Sequence, residues 1–298
     1  MKQRLKNFGL LLKTSSKQWW ARDPFKESAV IAYYAIFSLP GLLVVVMTVA
    51  GYFMGTDVAI KYLQAQISSA MGIETANQIH NMIVKAGESK NSVLAGILGI
   101  VTILIGATGV FVQFQKSLNG IWEVKADEKK SGILSILRAR LFSFGLIMAI
   151  AFILMVSFVV TSVLVAMGDW LARQFSEVFL TVIKIVNFTV TYLFIATLFA
   201  LMFKFFPDAK IKMKHVWLGS LLTAFLFLLG MFGMFLYFGK AEPGSGYGAA
   251  GSIILILIWV SYSSMIAFFG AEFTRAYAEM RDGNVPPDEH AVKIRTKT

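Results

Sequence analysis

The side chains that usually carry enzymatic chemistry are sparse in this chain. It has three histidines, His80, His215 and His290, and no cysteine among 298 residues. Thiol nucleophiles, disulfides, haem attachment and cysteine metal sites are therefore excluded. A zinc hydrolase needs two histidines one helical turn apart beside a glutamate, and many serine hydrolases place the nucleophile in a G-x-S-x-G turn. Neither pattern occurs, and no carboxylate cluster has metal-ligand spacing. The stretch GKAEPGSGYG (239–248) holds glycines and a lysine, but not in the order of a phosphate loop, and reads as a flexible turn. No enzymatic activity, cofactor or metal is expected.

What remains are polar residues inside apolar runs, which are costly in hydrocarbon and normally face a bundle or a cavity. Lys184, Asn187 and Thr191 fall at i, i+3 and i+7, one stripe of a helix. Lys184 lies about 10 Å from the nearer end of its run on a 1.5 Å rise. It either snorkels to the interface or meets an anionic group in a cavity. Ser261, Ser264 and Glu272 share a face at spacings of three and eight. Glu272 is read either as an interfacial partner of Arg275, three residues on, or as a proton or cation site. Tyr33, Tyr34 and Ser38 precede Pro40 in AYYAIFSLPGLL. Pro40 lacks an N–H and leaves the Ile36 carbonyl without a helical partner, so a kink is expected, with the hydroxyls turned into an inward-facing cleft. All of these except Glu272 and its partner make up the candidate substrate path.

The elements that must position them follow from composition and charge. The chain is 57% hydrophobic and 15% charged, too little charge for the surface of a soluble domain. Several apolar runs exceed the ~18 residues needed to span a bilayer. Six spans are expected, at about 29–54, 93–112, 141–167, 178–203, 216–238 and 249–270, so the fold class is an all-α integral membrane bundle. Lys and Arg alternate between them: seven in 1–28, three in 55–92, six in 113–140, one in the third loop, four in 204–215, one in the fifth loop and five from Ala271 on. The division, 22 against 5, puts both termini in the cytoplasm by the positive-inside rule. Topology thereby accounts for the net charge of +11, and nucleic acid is not an expected partner.

Residues 1–27 form an arm in which Phe8 to Leu12 are flanked by lysines and followed by Trp19-Trp20. It reads as an amphipathic helix lying on the anionic inner leaflet, against the alternative of a disordered basic tail. The membrane domain is expected over 28–275 and a cytoplasmic tail over 276–298. In the first periplasmic loop (55–92), Ile60, Leu63 and Ile67, then Ile79, Ile83 and Val84, show helical spacing. Two short helices are expected there, packed on the outer face. Glycines at 219, 230 and 233, and at 96, 99, 106 and 109, predict close helix contacts.

The segments GATGVFVQFQKSLNGIWEVK, LFALMFKFFPDAKIKMKHVWLGSLLTAFLF and GYGAAGSIILILIWVSYSSMIAFFGAEFTRAYA, with AYYAIFSLPGLL before them, occur in one order. Together they resemble the YihY/BrkB family of bacterial inner-membrane proteins, over residues ~20 to ~280. The resemblance implies about six spans with both termini inside, a role in envelope integrity and serum resistance as a virulence factor, and transport of a lipid or other amphiphile. It also assigns the strongest motif positions, Gln113, Gln115, Asn119, Trp122, Pro207, Asp208, Glu272 and Arg275, to the cytoplasmic ends of spans two, four and six, as an inner gate. There Asp208 is expected to pair with Arg275 or Lys116. The family motif often reads LNRIWGV, whereas this chain has Gly120 and Glu123 in LNGIWEV. The family's older name is ribonuclease BN, yet these residues offer no metal cluster and no general base for a nuclease.

The leading expectation is thus a transporter or flippase-like protein for an amphiphile, multi-pass in the bacterial inner membrane. Two other readings stand beside it. One is a small-solute or ion-coupled transporter using Glu272 or Lys184. The other is an envelope scaffold that recruits a partner, or a second copy, through residues 55–92.

Overall fold

The structure, a computed structural model, describes residues 2–71, 73–88, 109–127, 177–241 and 251–294. Helix α1 (Lys2–Ala21) carries no Pro, and Leu11, Ser15 and Trp19 repeat at i, i+4 and i+8 along one side. Helix α2 (Pro24–Met54) follows after a two-residue joint. Asp23 adopts a left-handed φ of 53° there, and Pro24 opens the new helix, where its missing N–H costs nothing. Helix α2 ends at Gly55, whose φ of 87° suits a residue without Cβ. Helix α3 (Thr56–Met71) starts at once, and α4 (Ile73–Glu88) follows it.

Residues 109–121 form helix α5, followed by strand β1 (Val124–Ala126). Helices α6 (Glu177–Phe205), α7 (Met213–Ala241) and α8 (Gly251–Asp282) supply three segments long and apolar enough to cross a membrane: Phe188–Phe205, Met213–Phe238 and Ile253–Asp282. Strand β2 (Ala291–Lys293) closes the described chain. Expected span 29–54 lies inside α2, which begins earlier, at Pro24. Expected spans 93–112 and 141–167 lie outside the described residues, apart from 109–112, which are helical.

Helix α8 packs against α1, α2, α4 and α7, and α6 packs against α7. The α7–α8 crossing rests on a reciprocal exchange of small residues. A Cβ on Gly219 of α7 would overlap Thr274 of α8, and one on Gly270 of α8 would overlap Thr223 of α7. Each threonine hydroxyl donates back to the carbonyl one turn earlier in its own helix, Thr223 to Gly219 and Thr274 to Gly270, both at 2.7 Å. That satisfies each hydroxyl within its own helix while its side chain packs onto the opposing glycine, where the backbones meet. Gly230 similarly receives the ring of Tyr262, whereas Gly233 faces open space. Away from these seams, α6 and α7 expose Ile185, Phe188, Phe225, Leu229, Phe232 and Phe235, an outer surface suited to lipid rather than water.

The structure sharpens three expectations. Helix α1 is held by protein: Leu11 is buried with Phe273 and Ala276, and the Trp19 indole donates to the Met265 carbonyl at 3.1 Å. Apolar burial and a directional hydrogen bond fix one side of α1, leaving Leu10 and Trp20 exposed. Second, α3 and α4 do more than cap the bundle. Ile79 of α4 is buried against Ile256 of α8 and reaches Ile36 of α2, because the apolar stripe of α4 needs partners that a loop cannot offer. Third, the described chain is not purely α-helical. Strand β1 pairs antiparallel with β2, Val124 opposite Lys293, and an isolated bridge joins Ala209 to Pro287. The residues after α8 are therefore stitched to two interhelical loops rather than hanging as a tail.

The largest core cluster gathers at the same end of the bundle. Phe114 of α5 packs against Phe206 and Phe268, with Phe111 stacked on Phe206 at 4.4 Å between centroids. Leu118, Phe203, Val216 and Ala271 are fully buried around them.

Candidate functional site

The α1–α2 joint places Arg22 against the far end of α8. Arg22 Nε stands 2.6 Å from Oε1 of Glu272, a side chain with no solvent exposure. This charge contact engages Oε1, while Oε2 has no hydrogen-bond partner. The same guanidinium reaches Glu123 Oε1 and the Ile121 carbonyl, each at 3.5 Å. Arg275, one turn beyond Glu272, points elsewhere. It pairs with Glu123 at 2.8 Å and Glu279 at 2.7 Å, and donates to the Ile121 carbonyl. Glu272 and Arg275 are thus not each other's partners, because each finds a longer-range counterion. Glu123 holds its position with φ at 53°, a conformation that favours glycine. The cluster contains three carboxyl groups (Glu123, Glu272, Glu279) and two guanidiniums (Arg22, Arg275).

Two polar ties fasten α5 beside this cluster. Asn119 Nδ2 donates to Asp208 Oδ2 at 2.7 Å while the Asp208 N–H donates to Asn119 Oδ1 at 2.8 Å, and Gln115 donates to Asp208 Oδ1 at 3.2 Å. The expected partners of Asp208, Arg275 and Lys116, are replaced by these amides. A neutral, reciprocal pair satisfies a loop carboxylate and its own N–H together, which an ammonium cannot do. On the opposite side of α5, Ser117 donates to Glu27 Oε2 at 2.6 Å and Gln113 to the same oxygen at 3.0 Å. Trp122 is buried, and its indole N–H has no partner among the described residues. Lys212, Lys214 and His215 converge on Asp282 where α8 ends.

Two cavities flank the joint. One, of about 430 Å³, is lined by Arg22, Glu27, Lys116, Ser117, Phe268 and Glu272, among others. The second, of about 570 Å³, is mostly apolar and lies between Ser16, Lys17, Trp19, Trp20, Ala21 and Phe269. Trp19 and Ala21 belong to both, so a charged chamber and an apolar cleft adjoin across one indole.

The candidate path residues do not gather there. Ser38 is buried, donating to the Ala35 carbonyl at 3.0 Å, and the half-buried Tyr34 ring packs on Gly109. Tyr33 is 59% exposed and stacks edge-on with Phe37, so it does not share their inward face. Helix α2 runs unbroken through Pro40, whose side chain lies outside the described set, as do those of Lys184 and Asn187. Thr191 is exposed on α6, so the predicted stripe does not face the bundle at that position. Ser264 is buried and Ser261 half-buried. The gate candidates Gln113, Asn119, Trp122, Asp208, Glu272 and Arg275, by contrast, do lie at one end of the bundle. Arg22, Glu27, Ser117 and Glu123 were missed. The signals were the R-D-P break before α2, an acid at the start of an apolar run, and a charged residue in LNGIWEV. Among the described residues no His, Asp or Glu group is arranged to hold a metal.

A mostly helical chain with three helices long and apolar enough to cross a membrane defines a membrane protein. The chain belongs to the family described as Virulence factor BrkB, whose model matches residues 15–295. It is 25% identical to a UPF0761 membrane protein of Saccharophagus degradans over 85% of this chain, although it spans only 56% of that relative's length. It is 23% identical to a UPF0761 membrane protein of Haemophilus influenzae, covering 93% of this chain and 97% of the relative. A putative ribonuclease-like protein, YfkH, of Bacillus subtilis is 24% identical, over 88% of this chain and 92% of its own. No solved structure matches the chain.

Proposed function

We propose that this chain is a six-span protein of the bacterial inner membrane, with both termini in the cytoplasm, that moves a lipid or other amphiphile between leaflets and so supports envelope integrity. The observation that carries this reading is the pair of adjoining cavities at Trp19, one charged and one apolar. A molecule with a polar head and an acyl chain needs both environments side by side, since burying either part in the wrong one costs several kcal/mol. The distribution of Lys and Arg supports this orientation, with this end at the cytoplasmic leaflet. In proteoliposomes carrying a fluorescent phospholipid, the full chain accelerates exchange between leaflets. An exchange rate equal to that of protein-free vesicles overturns the proposal.

A second reading, an ion-coupled solute carrier, is favoured by the complete burial of Glu272 beside Arg22. Uptake unaffected by both Glu272→Gln and Lys184→Met counts against it. Nuclease activity forms no part of the proposal. The ribonuclease-like name belongs to the Bacillus relative, and the basic segments of this chain are accounted for by membrane orientation.

A further inference from the structure

We propose that the chamber around Glu272 is a recognition site for a primary-ammonium phospholipid headgroup, a phosphoethanolamine, with one acyl chain lying in the cleft between Trp20 and Phe269. This rests on the amphiphile reading above and narrows it to a substrate class. Glu272 is bonded on one side only. Its side chain has no exposed surface and borders the chamber, and apart from the 2.6 Å Arg22 contact its oxygens have no hydrogen-bond partner. A buried carboxylate left in that state favours a ligand that brings both positive charge and N–H donors. A primary ammonium brings three donors, whereas a quaternary choline ammonium brings none.

Arg22 makes the exchange neutral. It already divides its guanidinium between Glu272 and Glu123, and its side chain is one-third exposed, so it has room to move. An incoming ammonium takes its place on Glu272, and Arg22 turns fully to Glu123 and to the lipid phosphate. Lys116, exposed at the chamber wall, supplies a second cation to that phosphate. The zwitterion adds one positive and one negative charge, and each meets its complement. Glu27 Oε1, not used by Ser117 or Gln113, offers the ammonium a further acceptor. Beyond Trp19 the lining turns apolar, as a glycerolipid requires of the surface next to its headgroup.

The test uses the full chain in phosphatidylcholine vesicles doped with lipids brominated on one acyl chain, read by quenching of the protein's tryptophans, two of which line the cleft. Brominated phosphatidylethanolamine is expected to quench at an about tenfold lower mole fraction than brominated phosphatidylcholine, the ratio one charge-assisted hydrogen bond supplies. Glu272→Gln is expected to bring the two lipids level, while Lys210→Ala, remote from the chamber, keeps the preference. Equal quenching by the two lipids in the unaltered protein overturns the proposal without any variant, as does a preference that survives Glu272→Gln or one for phosphatidylglycerol over both. Leaflet exchange without headgroup preference removes this inference and leaves the amphiphile reading standing. Preference without exchange does the reverse.

Discussion

At the scale of single residues, one end of the bundle is governed by polar groups that have given up water. Asn119 and Asp208 satisfy each other through both backbone and side chain, 89 residues apart. Asn119→Ala strands an Asp208 oxygen and its N–H, and is expected to cost about 1–3 kcal/mol of stability. Asp208→Ala added to it should cost much less than the sum of the two single changes, in a double-mutant cycle of thermal unfolding in detergent. Additive costs would show that the pair is not coupled. Arg22 presents the opposite sign of problem. Arg22→Ala leaves Glu272 buried without its nearest counterion, an effect of about 1–3 kcal/mol because Arg22 itself is partly exposed. In the same assay Arg22→Ala combined with Glu272→Gln should recover much of that loss, since the uncompensated charge is then gone. These pairings were not legible in the sequence. Glu272 and Arg275, three apart on a helix, suggest a local pair. Nothing local announces that a joint 250 residues earlier supplies the real counterion.

At the scale of elements, the helices themselves were the most legible part. Apolar length marked α6, α7 and α8, and periodicity marked α3 and α4, because both signals are local. The ends were less so. Helix α8 runs to Asp282, twelve residues past the expected limit of its span, because Phe273, Ala276 and Ala278 continue an apolar face that packs on protein rather than lipid. Three-residue strands such as β1 and β2 carry no alternation to read, and their partners are far apart in sequence. The α7–α8 seam was readable as glycines, but its reciprocity with Thr223 and Thr274 needed three dimensions. Gly270→Val puts a branched side chain where Thr223 already stands. It is expected to lower stability by about 1–3 kcal/mol, the usual cost of overpacking. Gly233→Val, at a position facing open space, should change the unfolding midpoint far less. Equal losses at the two positions would contradict the seam.

At the scale of the whole molecule, the account joins an asymmetric charge distribution to an asymmetric pair of cavities. The orientation predicts that reporter domains fused after residue 294 are active only in the cytoplasm. The bonds from β2 and from residues 286–288 to two interhelical loops make the end of the chain part of the same assembly as the chamber. The sequence carries an expected orientation, since charge can be counted. It did not carry the chamber, whose walls come from α1, α2, α5 and α8 and meet only when those helices pack. The candidate path through Tyr33 and Thr191 failed to converge for a related reason: a stripe on one helix does not reveal which neighbour, or which solvent, it will face. The central claim is that the chamber and the cleft together hold one amphiphile. It is tested most directly by an experimental structure of the full chain in a bilayer disc containing phosphatidylethanolamine. The account predicts continuous density with its head against Glu272 and its tail passing Trp20 and Phe269. A chamber closed by side chains, with ordered lipid confined to the outer surfaces of α6 and α7, would contradict it.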